Sequence, residues 1–146
     1  MWLPLQKKGI AMAQKAWMLG VWMFVENPAR SANEDLNLTV GGTIRLNTEA
    51  LRLLGENLLT VTIDIYDSDS FSDDDLLATN NTFQIAVHDT DFHCFHVGIL
   101  VPHKTLNECE FWNDDTAEVY AHVSARGGDV KTNGADSQEE DVTIFP

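Results

Sequence analysis

Between Leu53 and His103 the chain has no lysine or arginine, although nine aspartates and glutamates fall in that stretch. Cations are scarce throughout: 9 Lys and Arg stand against 23 Asp and Glu, for a formal charge of −14. Binding to nucleic acid needs clustered Lys and Arg to displace counterions from phosphates, so that class of partner is excluded. Direct attraction to anionic lipid is disfavoured for the same reason, although a bound cation would reverse the sign locally. Cysteine is nearly absent. Cys94 and Cys109 could pair, but two thiols do not make a disulfide framework and leave the redox compartment open. The longest apolar run, Ala16 to Val25, is too short to span a bilayer. Lys7 and Lys8 precede it as in a secretory leader, yet Lys15 interrupts the segment and no small-x-small cleavage site follows Phe24. Neither a signal peptide nor a transmembrane helix is expected. Gly-x-Ser-x-Gly, a Gly-rich phosphate loop and a paired Cys–His signature are also missing, so an enzyme is not expected.

What remains reads as β-structure. The 146 residues suit one domain with a real core. Leu36, Leu38, Val40, Ile44 and Leu46 share one parity, with Gly41-Gly42 expected to bend or bulge the strand. Leu59, Val61, Ile63 and Ile65 form a second alternating set, and Phe83, Ile85 and Val87 a third. Phe95 to Val101 and Ala117 to Val123 supply two more. Alternation repeated this often predicts an all-β fold, an antiparallel β-sandwich of about eight strands. One short helix is expected over Glu49 to Leu54, entered from Thr48 as N-cap and stopped by Gly55. A short strand is expected at Glu110 to Trp112. Residues 1–15 read as an N-terminal extension, 16–125 as the sandwich, and 126–146 as an acidic flexible tail whose Val142 to Phe145 could pair as an edge strand within this molecule or a neighbour.

Trp17 to Val25 differs from the other strands because both of its parities are apolar. Such a strand is buried on both faces, or it offers a patch for another subunit. A homo-oligomer built through this strand, and through the terminal edge strand, is one expected mode of action.

Val61 to Leu77 reads VTIDIYDSDSFSDDDLL: a clean strand runs into a loop with Asp67, Asp69, Asp73, Asp74 and Asp75. Unneutralised carboxylates this dense repel one another unless a cation joins them. Calcium takes six to eight oxygens and is the expected ion, whereas the plain alternative is a soluble turn rich in Asp and Ser. The spacing is not that of an EF-hand. Counting from Asp67, Phe71 stands fifth, Ser72 rather than Gly sixth, and Ala78 rather than Glu twelfth. If the strands alternate in direction, the loop carrying Glu34 and Asp35 lies at the same end as Asp67 to Asp75, and so does Pro102 to Asn107. His88, Asp89, Asp91 and Asn113 to Asp115 would then lie at the other end.

Tyr66 to Leu77, an aromatic-Asp-x-Asp followed by a later Asp and two aliphatic residues, resembles the third calcium-binding loop of C2 domains. The resemblance covers about Val61 to Asn80. It implies that Asp67, Asp69 and Asp75 are calcium ligands and that Phe71 sits at a loop tip entering lipid headgroups. Asp74, Asp35 and Glu34 complete the candidate metal set. Ala78 stands where the family has Gly, and the family's first-loop motif and lysine-rich strand are missing. The function expected from these readings is a non-catalytic β-sandwich module contacting lipid or protein through an acidic, calcium-binding loop. A second alternative, a metallo-hydrolase, rests on His88, His93, Cys94, His96 and His103 near Asp89 and Asp91. Extended geometry separates His93 from Cys94 and His96 onto opposite faces.

Overall fold

Strand β1 spans Ala16–Asn27, β2 Leu36–Leu46, β3 Leu59–Asp67, β4 Asp75–Ile85, β5 His93–Val101 and β6 Thr116–Gly127. Three short strands follow: β7 (Val130–Lys131), β8 (Ala135–Asp136) and β9 (Glu140–Thr143), and the helix α1 (Thr48–Leu54) joins β2 to β3. The computed structural model describes residues 14–27, 34–68, 75–102, 105 and 116–143. Within them the chain is all-β, a sandwich of two sheets with one short helix. A three-stranded sheet has the order β1-β2-β5; the larger has β4-β3-β6-β7, with β8 and β9 also paired to β6. Every pairing is antiparallel. The expected Glu110 to Trp112 strand lies outside the described residues, as does Cys109.

Period-two patterning accounts for the layers. β3 alternates buried and half-buried residues without a break, and on β6 Ala117, Val119, Ala121, Val123 and Ala125 all turn inward. With Leu38, Val40 and Ile44 of β2 they join one core. Each fully buried Leu, Ile or Val contributes about 1.5–3 kcal/mol, so the core rests on these inward parities.

At α1 the cap lies one residue earlier than expected. Asn47, not Thr48, has the extended backbone of an N-cap, and its Oδ1 accepts from the Ala50 N–H at 2.9 Å. An amide acceptor there satisfies a helix N–H that has no intrahelical partner. Gly55, at φ 60°, ends the helix as predicted.

The bulge also moves. β2 pairs with β5 without interruption through Gly41 and Gly42, and the register shifts fall on β1, one between Leu19 and Trp22 and one between Val25 and Asn27. Gly20, at φ 55°, takes the left-handed conformation that lets β1 carry an extra residue. The first shift changes which parity of β1 faces inward, so Met18 and Met23 are both buried.

Residues 126–143 are not a loose tail. Arg126 and Gly127 finish β6, and β7, β8 and β9 fold back along it. Where the returning chain bends, hydroxyls stand in for backbone carbonyls. The Ser137 hydroxyl accepts from the Ala121 N–H (2.9 Å) while the Ser137 N–H donates to the Ala121 carbonyl (2.9 Å). Thr132 repeats the exchange with Ala125, at 3.0 and 2.9 Å. Val142, in register with Ala117, is buried, so of the two expected pairings for this strand the one within its own chain is found.

This segment also ties the two sheets together. The Asn133 Oδ1 accepts from the Met18 N–H (2.9 Å) and its Nδ2 donates to the Met18 carbonyl (3.1 Å). Gln138 Nε2 donates to the Met23 carbonyl at 2.9 Å. The edge of β1 is thereby covered by side chains, one way a sandwich prevents its edges from adding foreign strands.

Candidate functional site

Register fixes which loops share an end. Leu36 of β2 pairs with Val101 of β5, and Asp67 of β3 pairs with both Asp75 and Val119. The segment paired to β6 at Ala125 and Ala121 bonds to β1 through Asn133 at Met18 and Gln138 at Met23, which aligns the two sheets so that the start of β2 and the end of β3 lie at the same end, as the parity argument expected. His93 pairs with Ile44 near the opposite end. β6 begins at Thr116, three residues before the Val119 that pairs with Asp67. Asn113 to Asp115 are expected at the other end. Those three residues themselves lie outside the described set.

Asp67 closes β3 on the inward parity and is only 8% exposed. Ser68, the next residue, donates its N–H to the Glu118 carbonyl at 2.7 Å, which holds the strand end against β6. Asp75 opens β4 opposite Asp67. Asp35 is half-buried and Glu34 exposed, immediately before β2. Asp69, Asp74 and the loop-tip Phe71 lie outside the described residues. Among the described residues, no three His, Cys, Asp or Glu side chains come together as a metal-ligand set.

The histidines separate as the strand geometry predicted. His93 meets Asp89, Nε2 to Oδ1 at 2.9 Å, while the same Oδ1 accepts the Asp91 N–H at 3.0 Å. The Asp91 N–H first, and His93 after it, hold the Asp89 carboxyl below the usual carboxylate range. Cys94 is a free, exposed thiol 3.6 Å from the Thr43 hydroxyl, and His96 is exposed. A pairing that linear reading missed is His122 Nδ1 with Asp136 Oδ1 at 2.5 Å. Only the return of β8 along β6 makes them neighbours.

The outer face of the three-stranded sheet is the unusual surface. Register aligns Leu19-Thr43-Cys94, Trp22-Gly41-His96 and Phe24-Thr39-Gly98 as rows across it. Leu19 is 39% exposed, Trp22 41%, Phe24 57% and, on β5, Leu100 50%. Glycine supplies the floor. The Trp22 ring lies so close over Gly41 that a Cβ there would meet it. At one margin Arg45 covers the Phe92 ring, 5.0 Å from its centroid. Glu26, whose Oε1 accepts from the Thr39 hydroxyl (3.1 Å), is the one carboxylate on this face among the described residues.

No protein-family model matches the sequence, and no curated protein matches it. Solved structures resemble it weakly. The sporulation control protein Spo0M from Bacillus subtilis aligns with TM-score 0.41 and 11% identity, over 92% of this chain and 51% of that one. This chain thus spans about half the length of that relative. A Bordetella pertussis protein described as ApaA aligns with TM-score 0.38 and 8% identity, over 90% and 97% of the two chains. Likeness this distant leaves function to be read from the chain's own surface.

Proposed function

We propose that this protein is a non-catalytic interaction module whose binding face is the outer face of β1-β2-β5, and that the partner is a second copy of the chain. The observation that carries this reading is the row of exposed Leu19, Trp22 and Phe24 over a glycine floor, continued by Leu100. Contiguous apolar surface in water favours association, because covering it releases ordered solvent. A chain of charge −14 meets a copy of itself most cheaply where carboxylates are fewest. That is this face.

Edge-to-edge pairing through β1 is disfavoured, because Asn133 and Gln138 already bond its backbone at Met18 and Met23. Face-to-face stacking remains, with sheets about 10 Å apart. Three strands of about nine residues, at roughly 3.3 Å rise and 4.8 Å spacing, give a face on the order of 400 Å² per copy. That lies at the small end of specific interfaces, so the association is weak and concentration-dependent. Sedimentation velocity should show a monomer–dimer equilibrium that Trp22→Ser with Phe24→Ser abolishes, while the variant still unfolds cooperatively. A monomer at every concentration would remove the second copy as the partner.

A calcium-dependent reading has its own support. Asp67, nearly buried at a strand end, stands opposite Asp75, and Asp35 precedes β2 at the same end. With Asp69, Asp74 and Glu34 these would bind calcium as the C2-like loop implies, leaving ion positions open to lipid phosphate or a protein carboxylate. An ion that binds the folded state raises its melting temperature by mass action. Millimolar calcium should therefore stabilise the wild type and leave Asp67→Asn unmoved. Identical melts in calcium and chelator would end this reading.

A further inference from the structure

At the end of the sandwich remote from Asp67, the first residues of β1, helix α1 and the chain around β7 border a half-open cleft of about 390 Å³. It has two kinds of wall. Ala16, Ala50, Leu53 and Val130 give an apolar one. Lys15 and Lys131 border it, as does one carboxylate, Asp129. Two of the chain's 9 cations thus line one cleft, with Asp129 in its lining and Glu49 beside Lys15, in a molecule that is otherwise strongly acidic.

Lys15 is only loosely held. Its Nζ stands 4.0 Å from Glu49 Oε1, but the Glu49 carboxylate is already engaged by Arg52 at 2.5 and 3.2 Å. Arg52, through that hydrogen bond first, keeps the Glu49 carboxyl below its usual range. Glu49 therefore has little need of the lysine. The walls are also braced. Gln14 Nε2 donates to the Ala16 carbonyl (2.8 Å) and to Asn133 Oδ1 (2.7 Å), which joins the start of β1 to the returning C-terminal segment. A cleft held open by such bonds exists before a ligand arrives, which reduces the ordering cost of binding.

We infer that this cleft binds a small organic acid, its carboxylate between Lys15 and Lys131 and its hydrocarbon part against Leu53, Val130 and Ala50. The volume falls at the low end of ligand sites, which suits a compact acid rather than an extended cofactor. An apolar lining with a few charged groups is the usual arrangement for such ligands, the apolar part supplying burial and the charges orientation. A neutral analogue of the same length would keep the burial and lose the charge-assisted hydrogen bonds.

The probe is octanoate, titrated into the full-length protein and followed by amide chemical shifts, with octanol as the uncharged control. Octanoate should shift Lys15, Leu53, Val130 and Lys131, and octanol should bind about tenfold more weakly or less. The Lys15→Gln/Lys131→Gln variant should lose about tenfold in octanoate affinity and keep its affinity for octanol. Equal binding of octanol and octanoate would overturn the inference. So would no shift at millimolar octanoate, or shifts confined to Leu19, Trp22 and Phe24, which belong to the docking face. If the double variant fails to fold, the octanoate-to-octanol ratio on the wild type decides the matter.

Discussion

The two sheets present opposite outer faces. On the larger sheet the outward positions are Thr60, Thr62, Asp64 and Tyr66 of β3 and Glu118, Tyr120, His122 and Ser124 of β6, with Asp136 and Asp141 in register beside them. Tyr66 stacks on Tyr120 at 5.5 Å, and His122 pairs with Asp136, so this face satisfies itself within the chain. On the smaller sheet, threonines, glycines and exposed Leu, Trp and Phe take the same positions, with Glu26 the sole acid among the described residues. Inner faces are alike in both sheets because both supply the core. Outer faces diverge: one is polar and paired within the chain, whereas the other leaves large apolar side chains exposed, which is the ground for proposing that a partner covers it.

The largest effect should come from cutting into the shared inner layer. Ile63→Ala removes a fully buried side chain and should cost about 2–5 kcal/mol in denaturant unfolding, with association per folded molecule unchanged. If it instead abolished dimers while leaving stability intact, the division into a packing side and a docking side would fail. Asn133→Ala comes next. It strips the cap from Met18 and unlinks the edge of β1 from the C-terminal segment, for an expected loss of about 1–3 kcal/mol. An uncapped edge should also promote aggregation, visible by light scattering. The double change at Trp22 and Phe24 should cost about 1–2 kcal/mol, because each ring is only partly buried. Its decisive effect is on association.

The smallest effect concerns pH. The folded carboxyl of Asp89 is depressed, so its contribution to stability is present above its unfolded value and is lost as pH falls through the folded one. Asp89→Asn should therefore be slightly less stable than the wild type at neutral pH. The gap should close as pH drops through and below the ordinary carboxylate range, and melts across that range would show it. A gap independent of pH would mean that the Asp91 and His93 contacts have no electrostatic part.

How much of this was legible in the sequence depended on whether the signal was periodic. β2, β3, β5 and β6 announce themselves, because an inward parity of Leu, Ile, Val and Ala can be buried in only one register. The return of residues 130–143 was not legible. Its polar residues looked like a tail, yet Thr132, Asn133, Ser137 and Gln138 use their side chains to complete backbone ladders. Composition records such residues as solvent-loving and cannot show that they replace carbonyls and amides. The candidate site was half legible. Both parities of Trp17 to Val25 are apolar, but the bulge at Gly20 decided which residues turned outward.

The amino-acid order alone therefore determined the class of fold, the inward face of each long strand and the acidic character of one end, since these follow from local periodicity and charge. Tertiary structure decided three further things. It made Trp17 to Val25 an edge strand with one exposed face, it folded the C-terminal segment along β6, and it brought Lys15 and Lys131 into the lining of one cleft. Each depends on contacts between residues far apart in sequence, which only strand order and register bring together.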